Sequence, residues 1–184
     1  MAKRRSFLVI GLGRFGTSLA EALVQKGHEV MGVDADPVVV QRLSTHLTHT
    51  VVMEAVTEET LLTLGIGNFD AVIVATGGNF ESSILLTLML KRLGARYVVA
   101  NAHTEQQADV LNQVGADKVV QPEQDAGRRI AHQLITPNIL DYLPLAAGMS
   151  VAEVPAPEFM VGKTLAELEM RRKYRISVLL IENG

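Results

Sequence analysis

The chain has 184 residues, 48% apolar and 20% charged, with a net charge of −3 and a pI near 5.9. That is the composition of a folded globular protein of one domain, or one domain plus a fragment, at about 150 residues per domain, and its acidic balance argues against a nucleic-acid binder, which concentrates basic charge on one face. The lack of cysteine removes disulfides, thiolate nucleophiles and Cys-ligated zinc and fits a reducing cytoplasm, while apolar runs such as Ile84–Leu90, and the strand-like run directly after Lys3, Arg4 and Arg5, leave no segment suited to membrane insertion or secretion.

Two hydrophobic periods alternate along the chain. Phe7–Ile10 is a short continuous apolar run, as expected of a strand buried on both faces. It ends at Gly11, and Phe15–Val24 follows at helical spacing, closed by Gly27. Val30–Val33 is the second strand; Asp36 and Pro37 then supply the cap and first turn of a helix running to about Thr45. Thr50–Met53 is the third strand, and Thr57-Glu58-Glu59 opens a helix ending near Gly65. Ala71–Ala75 is the fourth, followed by Thr76-Gly77-Gly78-Asn79 and a helix through Leu93, in which Ile84, Leu85, Leu88 and Met89 read as the sheet-facing core and Ser82 and Ser83 as surface. Tyr97–Ala100, a helix over Glu105–Val114, the short strand Lys118–Val120 and a helix from about Gln124 to Ile135 complete the alternation. The fold class is therefore α/β, a Rossmann-like doubly wound parallel sheet with its ligand edge at the strands' carboxyl ends. After Gly148 the rhythm changes: Val151–Val154 reads as a strand, Thr164 caps a helix through Arg172, and Ile176–Ile181 reads as another strand. These three elements make a partial α+β subdomain, too small to bury much of a core alone.

Gly11-Leu12-Gly13-Arg14-Phe15-Gly16 has the G-x-G-x-x-G pattern, follows a strand, opens a helix, and is followed by Asp34 at the end of the next strand, 18 residues after Gly16. Those are the conditions for a dinucleotide-type fingerprint. The glycines allow a tight turn, close approach of phosphate and close helix–strand packing, and the helix N-terminus faces the phosphates. Asp34 is placed to accept ribose hydroxyls and to repel a 2′-phosphate, which disfavours NADP; the bland alternatives are a ligand-free turn and a capping acid. Arg14 can meet the pyrophosphate of NAD(H), the terminal phosphate of ATP or ADP, or only water.

GLGRFG, VDADP, THTVV…TEE, NFDAVIVATGGN and VGADKVVQPEQDAGRRIA, in that order, resemble the cytoplasmic nucleotide-binding subunit of Trk/Ktr-type potassium-uptake systems, built on the RCK (regulator of potassium conductance) N-terminal domain. The likeness covers about residues 6–145. It implies a nucleotide-binding domain over 1–135, a crossover helix or linker over 136–148, whose Ile139, Leu140, Leu143 and Leu145 would pack on a partner, and the beginning of a C-terminal subdomain over 149–184, truncated relative to the family. It further implies regulation rather than catalysis: a homodimer assembling into an octameric ring at the inner face of the membrane, under a potassium channel or transporter and responding to ATP, ADP or NAD(H). Carried over by motif, Gly11, Gly13, Arg14, Phe15 and Gly16 would line the phosphates and Asp34 the ribose. Glu54 and Ala55 would meet the adenine edge, where the family has a shorter acid or amide, and Ala75, Thr76 and Gly77 would lie against the nucleotide. Asn101 stands where the family often has a cation. Glu123 matches an acid that faces its dimer mate and helps bind a divalent ion such as Mg²⁺ or Ca²⁺; by sequence alone the better reading is an acid in the first turn of a helix, favoured by the dipole.

The five histidines have no metal-ligand spacing, and the basic run Arg171–Arg175 reads as a solvated helix end. A competing class is an NAD(H)-dependent oxidoreductase, which needs a proton-transferring residue over the nicotinamide; an NAD(H)-sensing transcription regulator needs a basic helix-turn-helix. Neither feature is found in the sequence, and a regulatory binding module is expected.

Overall fold

The apolar runs become strands covered on both sides. In the computed structural model, which describes residues 3–76, 79–135, 141–144 and 149–182, β1 (Ser6–Ile10), β2 (Glu29–Asp34), β3 (His49–Val52), β4 (Ala71–Val74), β5 (Val98–Asn101) and β6 (Lys118–Val120) form one sheet in the order β3-β2-β1-β4-β5-β6. Every neighbouring pair is parallel. Successive residues of β1 serve opposite layers, as the two-residue period of a strand requires. Val9 packs with Ala20 of α1 (Arg14–Gln25) and Leu43 of α2 (Pro37–Leu43). Leu8 and Ile10 face the other way, into a core with Leu61 of α3 (Glu58–Thr63), Leu86 and Leu90 of α4 (Phe80–Arg92) and Leu111 of α5 (Glu105–Gln113).

Side chains that accept from free backbone N–H groups set the helix starts. Asp36 caps α2 through Val38 N–H with Pro37 in its first turn, Thr57 and Thr60 cap α3 reciprocally, Asn79 caps α4 and Thr104 caps α5. Because β1 is flanked by β2 on one side and β4 on the other, the chain leaves the carboxyl ends of β1 and β4 toward opposite faces. A crevice opens between them.

Helix α4 turns a different face to the sheet than its apolar residues suggest. Its buried residues are Ser83, Leu86, Thr87 and Leu90, and Leu85 is 52% exposed. Ile84 and Met89 reach the core only in part. The inward hydroxyls are satisfied: Thr87 Oγ1 donates to Ser83 O at 2.8 Å, and Ser83 Oγ lies 2.9 Å from Thr76 Oγ1. Hydrogen bonding thus admits two polar residues to a face that hydrophobicity alone assigns elsewhere.

Residues Met1–Ala126 form one compact unit and Gly127–Gly184 a second. Helix α6 (Pro122–Ile135) starts two residues earlier than its apolar pattern, with Pro122 in the first turn and Asp125 N–H bonded to Gln121 O at 2.9 Å. In the second unit, β7 (Asp141–Pro144) pairs antiparallel with β8 (Ser150–Glu153). The stretch expected as a crossover helix therefore carries a strand over 141–144; the backbone finds its partners across the hairpin, and Pro144 lacks the N–H a helix would use. The rest of that stretch, 136–140 and 145–148, lies outside the described residues. The helix expected from Thr164 to Arg172 is two short ones, α7 (Leu165–Leu168) and α8 (Met170–Tyr174), broken where Glu169 takes a left-handed φ of 46°. Residues 176–181 join no strand among the described residues, and Leu179 and Leu180 are about three-quarters exposed. An apolar run becomes a strand only when a neighbour accepts its backbone bonds.

Asp117, just before β6, accepts from Val98 N–H at 2.7 Å and pairs with Lys91 Nζ at 2.9 Å. Partial burial works against its charge, but Lys91 and the backbone N–H groups outweigh it and hold the carboxyl below its usual range. A lowered native value means that the tie contributes fully above the unfolded carboxylate range and is lost as pH falls through the native value. Asp117→Asn should therefore cost roughly 1–3 kcal/mol at neutral pH. Urea unfolding of both proteins at neutral pH and at about pH 2–3 should find that difference shrinking with acid.

Candidate nucleotide site

The crevice between β1 and β4 holds a cavity of 590 Å³. Its floor is the glycine turn. Gly11 has a φ of 96°, and a Cβ there would come within 2.8 Å of the Ala75 backbone. A Cβ on Gly16 would overlap the Gly11 carbonyl oxygen outright and lie 3.2 Å from Ala75 Cβ. Glycine at both positions is what allows the first turn of α1 to lie directly on the ends of β1 and β4. Gly13 is the N-cap of α1, and the first intrahelical bond runs from Thr17 N–H to Gly13 O at 2.9 Å. The N–H groups of Arg14, Phe15 and Gly16 thus have no acceptor within the helix and stand at its positive end.

The acid at the end of β2 is bound into this turn. Asp34 Oδ2 accepts from Leu12 N–H at 2.6 Å, and Oδ1 accepts from Asp36 N–H at 2.9 Å. Further bonds join the walls: Gly11 N–H to Val33 O at 2.8 Å and Met53 N–H to Asp34 O at 2.9 Å.

Of the residues singled out in the sequence, Gly11, Gly13, Asp34, Glu54, Ala55, Ala75 and Thr76 line the cavity together. Arg14 does not; it is exposed in the first turn of α1. Phe15 packs into the core beneath α1, and Gly16 is buried against the turn. Gly77 lies outside the described residues. Asn101, at the carboxyl end of β5, is 7% exposed and does not line the cavity; its Oδ1 has no hydrogen-bond partner among the described residues. Glu123 is an exposed first-turn residue of α6 whose Oε2 lies 3.9 Å from His103 Nδ1. No cluster of three or more potential metal-binding His, Cys, Asp or Glu side chains occurs among the described residues.

The sequence reading missed one wall. Asn79, Ser82, Leu85 and Met89 of the α4 region face the cavity, opposite Met53 and Val56 after β3. Together they set apolar surface on either side of a slot, at whose open edge stands the exposed Glu54. The available signal was Asn79 itself, since a cap residue straight after a strand aims the start of its helix at the sheet's carboxyl edge. In chemical terms, the site joins unbonded backbone N–H groups at a helix N-terminus, the carboxylate of Asp34 and apolar side chains from Met53, Val56, Leu85 and Met89.

The model of the TrkA-N domain matches residues 7–122. The chain belongs to the TrkA-N domain family. It is 42% identical over 181 residues to the Ktr system potassium uptake protein C of Bacillus subtilis, an alignment covering 98% of this chain and 82% of that protein. Among solved structures, the GsuK channel bound to NAD is similar at 27% identity and a TM-score of 0.60, covering 92% of this chain and 30% of that one. GsuK bound to ADP is similar at 29% identity and a TM-score of 0.59, covering 72% of this chain and 34% of that one. The expected family and its doubly wound fold are therefore both found. Among the described residues of this TrkA-N protein, no helix is long and apolar enough to cross a membrane.

The two glycines of this TrkA-N domain that flank the turn should respond differently to the same substitution. Gly16→Ala forces backbone apart and should cost at least about 1–3 kcal/mol. A Cβ on Gly13 meets nothing within 4 Å, so Gly13→Ala should stay within about 0.5 kcal/mol of the parent. Denaturant unfolding of the three proteins checks this.

Proposed function

We propose that this protein is a nucleotide-binding regulatory subunit of a potassium-uptake system, in which ATP, ADP or NAD(H) at the glycine-turn cavity sets the geometry of an assembly of identical chains. The observation that carries the reading is the cavity itself: phosphate-facing amides, Asp34 and an apolar slot at the crevice between β1 and β4. The similarity to a Ktr uptake protein and to GsuK structures named for NAD and ADP supports the same reading. In it, the turn Gly11–Gly16 borders the phosphates, Ala75 and Thr76 lie against the nucleotide, Asp34 takes the ribose, and Glu54 and Ala55 meet the adenine edge.

A non-enzymatic role fits the chemistry of the walls. Among the described residues, the ionisable side chains that line the cavity are Asp34 and Glu54. Among the described residues, neither is joined there by a histidine, lysine, tyrosine or cysteine that could pass a proton to a substrate.

The assembly in this reading is a homodimer, and dimers build an octameric ring at the cytoplasmic face of a membrane potassium transporter. Helix α6 supplies a surface of the right kind: Ile130, Leu134 and Ile135 are all more than half exposed, and the helix has no buried residue. Residues 1–135 are proposed as the nucleotide-binding domain, 136–148 as the link, and 149–184 as the start of the C-terminal subdomain. Glu123 of one chain offers a single carboxylate with His103 beside it, too few ligands for a hard divalent ion. A Mg²⁺ or Ca²⁺ site there requires the same glutamate from a second chain and oxygens from the nucleotide.

A nucleotide shifts such an assembly only through its differential affinity for two states, each tenfold being worth about 1.4 kcal/mol. Arg14, exposed at the mouth of the phosphate site, is the side chain suited to read a terminal phosphate. Calorimetric titration with ATP, ADP and NAD⁺, with mass followed by light scattering, tests the reading. Arg14→Ala should weaken ATP about tenfold or more, affect ADP and NAD⁺ less, and abolish any ATP-specific change in assembly. No binding of any of the three by the parent chain would defeat the proposal.

A further inference from the structure

Resting on the nucleotide-binding reading above, we infer that Asp34 is also the positioning residue of the phosphate cradle, acting through the Leu12 amide, and not solely a ribose contact. Both carboxylate oxygens are already engaged by backbone: Oδ2 by Leu12 N–H at 2.6 Å and Oδ1 by Asp36 N–H at 2.9 Å. Leu12 sits between the two cavity-lining glycines and its side chain is 1% exposed, locked into the core beneath α1. Its amide therefore points where the turn dictates, and the carboxylate is what satisfies it there. Leu12 O is held in turn by Thr17 Oγ1 at 2.7 Å. Asp34 and Thr17 thus grip the two polar ends of one residue and fix the rotation of the turn that leads into the amides of Arg14, Phe15 and Gly16.

The same carboxylate fastens the glycine turn to the start of α2, and Asp34 O receives Met53 N–H at 2.9 Å from the segment that leads to Glu54. One residue therefore joins the phosphate, ribose and base walls. Each carboxylate oxygen keeps a second lone pair for a ribose hydroxyl, so the two roles are compatible.

The two roles differ in the sign of one measurement. Inorganic tripolyphosphate has no ribose. If Asp34 served the ribose alone, Asp34→Ala would remove a negative charge from the cavity and leave tripolyphosphate binding equal or tighter. If it positions the cradle, the same change should weaken tripolyphosphate about tenfold, the usual worth of a hydrogen bond to a charged group. Asp34→Asn keeps the shape but can accept with only one atom, and should fall between the two proteins. Asp36→Ala, which strips only the cap of α2, controls for general destabilisation and should bind within about twofold of the parent.

Titration of tripolyphosphate and ATP into all four proteins, with thermal melts alongside, gives the first readout. Hydrogen exchange of the Leu12 amide in Asp34→Asn gives the second, and should be faster than in the parent. Unchanged or tighter tripolyphosphate binding by both Asp34 variants overturns the inference. If the parent binds neither ATP nor tripolyphosphate, the nucleotide reading fails by itself, and the Leu12 exchange rate then decides this one: unchanged protection overturns the tie.

Discussion

The first turn of α1 lies so close to the sheet that Gly16 touches the carbonyl of Gly11 and the methyl of Ala75, and most of what makes the site follows from that approach. It brings unbonded helix amides to the carboxyl ends of β1 and β4, where the topology already opens a crevice. It also leaves the glycine turn with little freedom of its own, because the turn is clamped between helix, β4 and the end of β2. Two side chains complete the clamp from either direction, Asp34 on the amide of Leu12 and Thr17 on its carbonyl.

Around this floor, helix caps do double duty. Asp36 and Asn79 start α2 and α4 by accepting backbone N–H groups, and the same geometry places both helix starts at the carboxyl edge of the sheet. The result is a pocket whose polar character comes mainly from backbone. Such a pocket offers backbone donors of the kind that bind phosphate groups.

The parallel sheet was readable from the chain because strands buried on both faces announce themselves as unbroken apolar runs, as Phe7–Ile10 and Ala71–Ala75 do. The glycine turn and Asp34 were readable because a steric requirement leaves a spacing behind. The wall made by Ser82, Leu85 and Met89 was not, since hydrophobicity placed Leu85 in the core, whereas the helix turns Ser83 and Thr87 inward and satisfies them with hydrogen bonds. Hydroxyls that pair within the fold look in sequence like surface. The second unit was least legible. Residues 141–144 and 176–181 are apolar enough for several outcomes, and what decides among them is which segment lies alongside: β8 for the first, and no strand among the described residues for the second.

Among the described residues, the two ionisable side chains lining the cavity are both acidic, which bears on kinetics as well as affinity. A phosphate-bearing molecule meets the repelling field of Asp34 and Glu54 at the cavity walls and the attracting one of the exposed Arg14 at the start of α1. Glu54 is exposed, so dissolved ions screen it readily, over a Debye length of about 8–10 Å at physiological salt. The amides, recessed in the turn, are screened far less. Moderate ionic strength therefore weakens the exposed charges of Glu54 and Arg14 more than it loosens the grip of the amides.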